Sequence, residues 1–209
     1  NSGERLKLLD AEGEEILDFE YNDTWYPPSD GDGRTLVIKD TSIPFNDYDE
    51  PESWGISSTD DGAPDQADGV VLTHFEGWRY SHFNSTERDD AQVGMQTSDP
   101  DGDGYTNWAE YSFGTDPRKA DQPSLAFVSA THNTQDYAAI SLTRRSNAFD
   151  ILWGLDASTT LTGWAGVAFT VHGIPQDLGG GLERATLRSE NLMSSAVPKS
   201  FLRVSTKPN

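Results

Sequence analysis

Residues 99–110 read Asp-Pro-Asp-Gly-Asp-Gly-Tyr-Thr-Asn-Trp-Ala-Glu, and this stretch constrains the chain more than any other. It fits the twelve-residue pattern D-x-[DN]-x-[DN]-G-x5-E at every specified position. Asp99, Asp101 and Asp103 occupy positions 1, 3 and 5. Gly104 stands at position 6, where such a loop turns sharply. Tyr105 at position 7 offers its backbone carbonyl, Asn107 at position 9 an amide oxygen or a water, and Glu110 at position 12 both carboxylate oxygens. Calcium is a hard ion that takes six to eight oxygens, and acids two residues apart on a tight loop supply them. Turn propensity explains Asp and Gly; it does not explain a Glu at the twelfth position. The expected cofactor is therefore Ca2+, with Asp99, Asp101, Asp103, Tyr105, Asn107 and Glu110 as ligands. A calcium sensor would need a paired loop and a Met-rich groove, whereas this chain has one such loop and two Met.

Charge agrees with a cation site. The 209 residues carry a formal charge of -20. Seven of 15 basic and six of 35 acidic residues fall from Pro123 onward, leaving 8 basic and 29 acidic before it. Such asymmetry marks a boundary. The acidic part repels nucleic-acid phosphates and anionic membranes and attracts divalent cations. A hydrophobic fraction of 34% with 11% aromatics and 19 Gly suits small, loop-rich β modules better than a helical bundle. The absence of Cys excludes thiol chemistry. No apolar run reaches the roughly 18 residues a membrane span needs. No signal peptide is visible, and the polar, strand-like opening reads as the start of a fragment.

Three regions follow. Residues 1–68 hold short strand candidates at Arg5–Leu9, Ile16–Tyr21 and Thr35–Ile38, separated by turn sequences. Residues 69–122 hold a helical pattern through Leu72, Phe75, Trp78, Tyr80 and Phe83, an acidic loop, the calcium loop and a short helix. Gly114-Thr115-Asp116-Pro117 should stop that helix. Residues 123–209 hold strand candidates at Leu125–Ala130, Ala138–Arg144, Phe149–Leu155, Ala168–His172, Glu183–Leu187 and Phe201–Ser205, a spacing that suggests an all-β sandwich.

Each region carries a resemblance. Tyr21, Trp25-Tyr26-Pro27, Asp30-Gly31-Asp32-Gly33-Arg34-Thr35-Leu36, Trp54 and Gly62-Ala63-Pro64 resemble the C-terminal half of a bacterial lamin-tail domain. That resemblance implies a partial immunoglobulin-like sandwich lacking the family's opening strands. Trp78, Phe83, Asp99 to Gly104, Asn107, Glu110, Tyr111 and Gly114 to Pro117 resemble a calcium segment of exported bacterial proteins, related to thrombospondin type 3 and dockerin-like (EF-hand-type) repeats. Phe149–Leu155, Leu161-Thr162-Gly163-Trp164 and Phe201–Val204 resemble a terminal β-sandwich that follows such segments. The implied fold is mainly β: two small immunoglobulin-like sandwich modules joined by a short helical calcium-binding connector.

Other constellations are weaker. His74, His82, His132 and His172 lack metal-ligand spacing. No nucleophile elbow or P-loop occurs, and no acidic pair is singled out as a glycosidase dyad. Asp30 and Asp32 form a two-carboxylate turn, with Thr41 where a twelfth-position Glu would stand. Asp116 is the better candidate for an extra ligand or a cap. Six Trp leave room for a sugar-stacking platform. The expected function is a non-catalytic, calcium-stabilised structural or attachment module of a larger exported bacterial protein, extracellular or on the cell surface. Its partners would be upstream domains and polysaccharide or other surface material. The alternative is a carbohydrate-binding module serving an exported hydrolase.

Overall fold

A computed structural model describes residues 3–22, 25–31, 33–62, 72–146, 148–192 and 201–209. The protein is mainly β, with antiparallel sheets and three short helices among the described residues. It divides into two compact units: Asn1–Asp90 with Asn147–Asp150, and Ala91–Ser146 with Ile151–Asn209.

The first unit opens with a hairpin of β1 (Glu4–Leu9) and β2 (Glu15–Tyr21). Its turn is set by Asp10, whose Oδ1 accepts from the amides of Glu12 and Glu14 at 3.0 and 2.8 Å. Across the ladder, Arg5 and Lys7 meet Asp18 and Glu15. Every residue of β1 is exposed, whereas Phe19 of β2 is buried. A second antiparallel pair joins β3 (Leu36–Ile38) to β4 (Trp54–Ile56). The aperiodic stretch between them forms 3-10 turns at Phe45–Asp47 and Pro51–Ser53. These pairs remain separate two-stranded sheets, unlike the sandwich expected of this region. Turn-borne aromatics replace a second layer of strands: Trp25 and Tyr26 are buried with Phe19, Trp54, Ile56 and Leu72 in one cluster. The Tyr26 hydroxyl donates to the Trp54 carbonyl, and the Trp54 indole donates to the Tyr48 carbonyl at 2.8 Å. Asp32, Ala63 and Pro64 lie outside the described residues.

Helix α1 (His74–His82) takes the expected place and is capped by Thr73, which accepts from the Glu76 amide. Helix α2 (Ser85–Asp89) falls where an irregular acidic loop was expected. A reciprocal capping box between Asn84 and Glu87 forms it.

The second unit contains α3 (Asn107–Phe113), β5 (Leu125–His132), β6 (Gln135–Arg145), β7 (Ile151–Ser158), β8 (Ala165–Gly166), β9 (Phe169–Val171), β10 (Gln176–Gly179), β11 (Leu182–Leu192) and β12 (Phe201–Pro208). One sheet runs β10-β11-β6-β5, with β9 also pairing β11; the other runs β12-β7-β8. The tight β5–β6 turn uses Asn133 and Thr134, both with positive φ, the arrangement whose twist suits a two-residue hairpin. Both sheets feed one core. Ile140, Leu142 and Leu187 come from the larger sheet, and Leu155, Leu202 and Val204 from the smaller. Phe113 of α3 belongs to the same core and meets Trp153 edge-on at 5.5 Å. That anchor explains why the division falls between Asp90 and Ala91, inside the 69–122 stretch expected as one connector.

Candidate metal centre

The loop ahead of α3 is shaped by its own acids. Asp99 accepts from the amides of Gly102 and Gly104 at 2.9 and 3.0 Å. Asp101 Oδ1 accepts from the Asp103 amide at 3.2 Å, and Asp103 Oδ1 from the Tyr105 amide at 2.8 Å. Gly104 has φ +95, a conformation that L side chains rarely adopt. These bonds turn the three acids inward, and ligand oxygens of Asp99, Asp101 and Asp103 lie within 4.8 Å of one another.

Helix α3 brings the remaining side chains. Thr106 caps it by accepting from the Ala109 amide, and Gly114 ends it in the left-handed region, its amide bonding the Glu110 carbonyl at 2.7 Å. A Cβ at Gly114 would collide with Leu182, so the stop also seats α3 against β11. The Arg145 guanidinium donates to the Tyr111 carbonyl at 3.1 Å and lies over that ring. Glu110 and Asn107 are fully buried as a result.

The preceding segment braces the loop. The amides of Asn107 and Trp108 donate to the carbonyls of Ser98 and Gln96 at 2.8 and 3.0 Å. Asn107 Nδ2 donates to the carbonyls of Val93 and Met95 at 2.7 and 2.8 Å. Two carbonyl acceptors fix the amide orientation, so Asn107 is a structural tie and its Oδ1 remains on the other side.

The site's electrostatics are unfavourable without a cation. Asp101 Oδ2, Asp103 Oδ2, Asn107 Oδ1 and both oxygens of Glu110 are buried and lack hydrogen-bond partners. Burial pushes the Glu110 carboxyl up from 4.5 to about 8, and repulsion from Asp101, Asp103, Asp121 and Asp99 adds to it. Asp101 is also raised, chiefly by burial. Buried acceptors left unpaired cost about 1–3 kcal/mol each, and charged ones more. A fold retains such a group of oxygens at one place when something else satisfies them. The donor set is all oxygen, which suits a hard cation such as calcium or magnesium.

Of the six residues expected to hold the ion, the structure gathers Asp99, Asp101 and Asp103 as one cluster. Glu110 is not part of that close cluster, although the charges of all three acids raise its carboxyl. Tyr105 is placed by its amide bond to Asp103, and Asn107 by its ties to Val93 and Met95. Sequence reasoning missed Thr115 and Asp121, whose Oγ1 and Oδ1 are also buried and unpartnered. The only sequence signal was an acid shortly after the helix stop. Asp116, the acid preferred for that role, is exposed, and its Oδ1 accepts from the Arg118 amide at 3.0 Å.

Several of the other candidates are absorbed by packing, whereas His132 and Asp30 are exposed. His74 bonds the Trp25 carbonyl and stacks on Tyr26, while His82 bonds the Trp78 carbonyl. Trp25, Trp54, Trp78 and Trp108 are buried. Half-buried Trp164 is covered on one face by the Arg203 guanidinium. No helix among the described residues is long and apolar enough to cross a membrane. No protein-family model matches the chain, nor does any curated protein or solved structure.

Proposed function

We propose that residues 99–110 bind Ca2+ and that the ion is structural. The observation that carries this reading is the group of five buried, unpartnered oxygens on Asp101, Asp103, Asn107 and Glu110. Asp99, Asp101 and Asp103 would hold the ion with Glu110, helped by the Tyr105 carbonyl and by Asn107 Oδ1. Bound calcium supplies positive charge that neutralises repelling carboxylates, so its binding energy becomes folding energy. Phe113 and Gly114 transmit that order to the sheets, because α3 sits on their core. The ion then fastens the acidic loop to the C-terminal unit.

On this reading the chain is a non-catalytic, calcium-stabilised structural or attachment module of a larger exported bacterial protein, outside the cell or on its surface. The two sheets of its second unit would be a small immunoglobulin-like sandwich, and the module would display upstream domains toward polysaccharide or other surface material. Extracellular modules bind calcium at about 10⁻⁴–10⁻³ M. Isothermal titration of the full chain with CaCl2 should show one site in that range. Absence of binding at millimolar calcium would overturn the reading.

A further inference from the structure

Strand β5 ends the larger sheet: it pairs β6, and among the described residues no strand pairs its other edge. Its backbone register fixes which groups face outward. His132 and Gln135 flank the two-residue turn and form its closing hydrogen-bonded pair. Alternation then bonds Ala130, Val128 and Ala126 to β6, and the Thr143 amide donates to the Ser124 carbonyl at 3.1 Å in the same phase. The amides and carbonyls of Leu125, Phe127, Ser129 and Thr131 therefore point away from β6. These residues share a face with Leu142 and Ile140, their neighbours in the ladder, which are buried in the core. Yet no β5 residue joins that core, and Leu125 and Phe127 are 47% and 56% exposed. Natural edge strands are usually blunted by charge, proline or a bulge. Strand β12 carries Arg203 and Lys207 and ends at Pro208, β10 carries Asp177 and a register shift, and β1 carries Arg5 and Lys7. Strand β5 has no acid, Lys, Arg or Pro in its eight residues, and its ladder with β6 is regular.

We propose that β5 pairs with β5 of a second copy of this chain, antiparallel about a two-fold axis at Val128, so that two larger sheets run together as one. Only that axis uses all the outward groups. It sets Leu125 opposite the second copy's Thr131 and Phe127 opposite its Ser129, and the reciprocal pairs follow by symmetry. Each such pair exchanges two backbone bonds. An axis at Phe127 or Ser129 would leave Thr131 or Leu125 without an opposite strand residue. The register also brings the two Phe127 rings to diagonal positions, within reach of aromatic side chains, and so covers the apolar surface that one copy leaves open. Electrostatics favour this edge over the others. Self-pairing of β5 opposes no like charges, and from Pro123 onward seven basic residues stand against six acidic. Two such sheets approach without the repulsion that the acidic part of the chain imposes.

The test measures the mass of the full chain by sedimentation equilibrium and light scattering, with circular dichroism to confirm folding. Wild type should reach twice the chain mass. Ser129→Pro removes an outward amide that β6 does not use, and Phe127→Lys sets two cations at the diagonal; each should weaken dimerisation roughly tenfold or more. Leu178→Lys, on β10 at the opposite end of the same sheet, should leave it unchanged. The register is tested separately. The chain has no Cys, so Val128→Cys introduces a single thiol. Opposed non-hydrogen-bonded residues have Cα atoms about 4.5 Å apart, inside the roughly 4.4–6.8 Å that a disulfide spans. Mild oxidation should therefore link Val128→Cys into a covalent dimer, whereas Ala126→Cys, set off from its own copy across the axis, should stay unlinked. A wild type that is monomeric at high micromolar concentration would overturn the proposal. So would a dimer that folded Ser129→Pro and Phe127→Lys proteins still form with wild-type affinity, or one in which Ala126→Cys links as readily as Val128→Cys.

Discussion

Replacing Glu110 with Gln should stabilise the protein or destabilise it depending on whether calcium is present. In the metal-free fold the Glu110 carboxyl is raised from 4.5 to about 8. The folded state therefore holds a proton that the unfolded state has released over this interval. Stability falls as pH rises from about 4.5 to about 8. At pH about 8 the accumulated cost is on the order of 4 kcal/mol. Gln is nearly isosteric and neutral at every pH. Without calcium, Glu110→Gln should match wild type near pH 4.5 and exceed it by as much as about 4 kcal/mol near pH 8. Calcium at roughly 100 times its dissociation constant stabilises wild type by about 2.7 kcal/mol, and the variant should forfeit most of that gain. The assay is urea unfolding followed by tryptophan fluorescence across that pH range, in EGTA and in excess CaCl2. A metal-free Glu110→Gln protein less stable than wild type at pH about 8 would refute the reasoning. It would mean that the carboxylate is held by favourable bonds rather than kept for a cation.

Two further substitutions probe the scaffold. Gly114→Ala places a side chain at φ +74 and drives it into Leu182; it should cost about 1–3 kcal/mol in urea unfolding whether or not calcium is present. Tyr26→Phe removes the hydroxyl that serves the buried Trp54 carbonyl and should cost about 1–2 kcal/mol. That loss should appear in amide-exchange protection around Trp54 while calcium affinity stays unchanged.

The loop was legible because its pattern is local. Each acid bonds an amide two to five residues ahead, so chain direction and ligand placement follow from one short stretch. The helix stop was legible for the same reason, since Gly114 adopts the left-handed conformation that its type favours. Strands β5, β6, β11 and β12 run longer than their apolar cores suggested, because ladder bonds carry pairing past the last buried residue. Strands β4, β8 and β10 have two to four residues, too few to show a period. Helix α2 hid behind its charge, although Asn84 and Glu87 formed a readable capping pair. The unit boundary was not legible from charge, which changes near Pro123, because tertiary burial of Phe113 decided it. Asp121 was invisible for a related reason: the burial of its Oδ1 is set by tertiary packing and not by a local pattern.

The β1–β2 ribbon is anchored on one side only. Phe19 stacks on Trp54 at 5.3 Å and holds β2 to the aromatic cluster, whereas β1 has no buried side chain and touches the fold through its ladder and its ion pairs. Exposed ion pairs contribute little and weaken with salt. The two strands therefore have different opening energies. Strand β1 can peel away while Phe19 keeps its seat, so its ladder amides should exchange with solvent deuterons through a small, salt-sensitive opening. The indole and phenol hydrogens around Trp54 should wait for the unit as a whole to unfold.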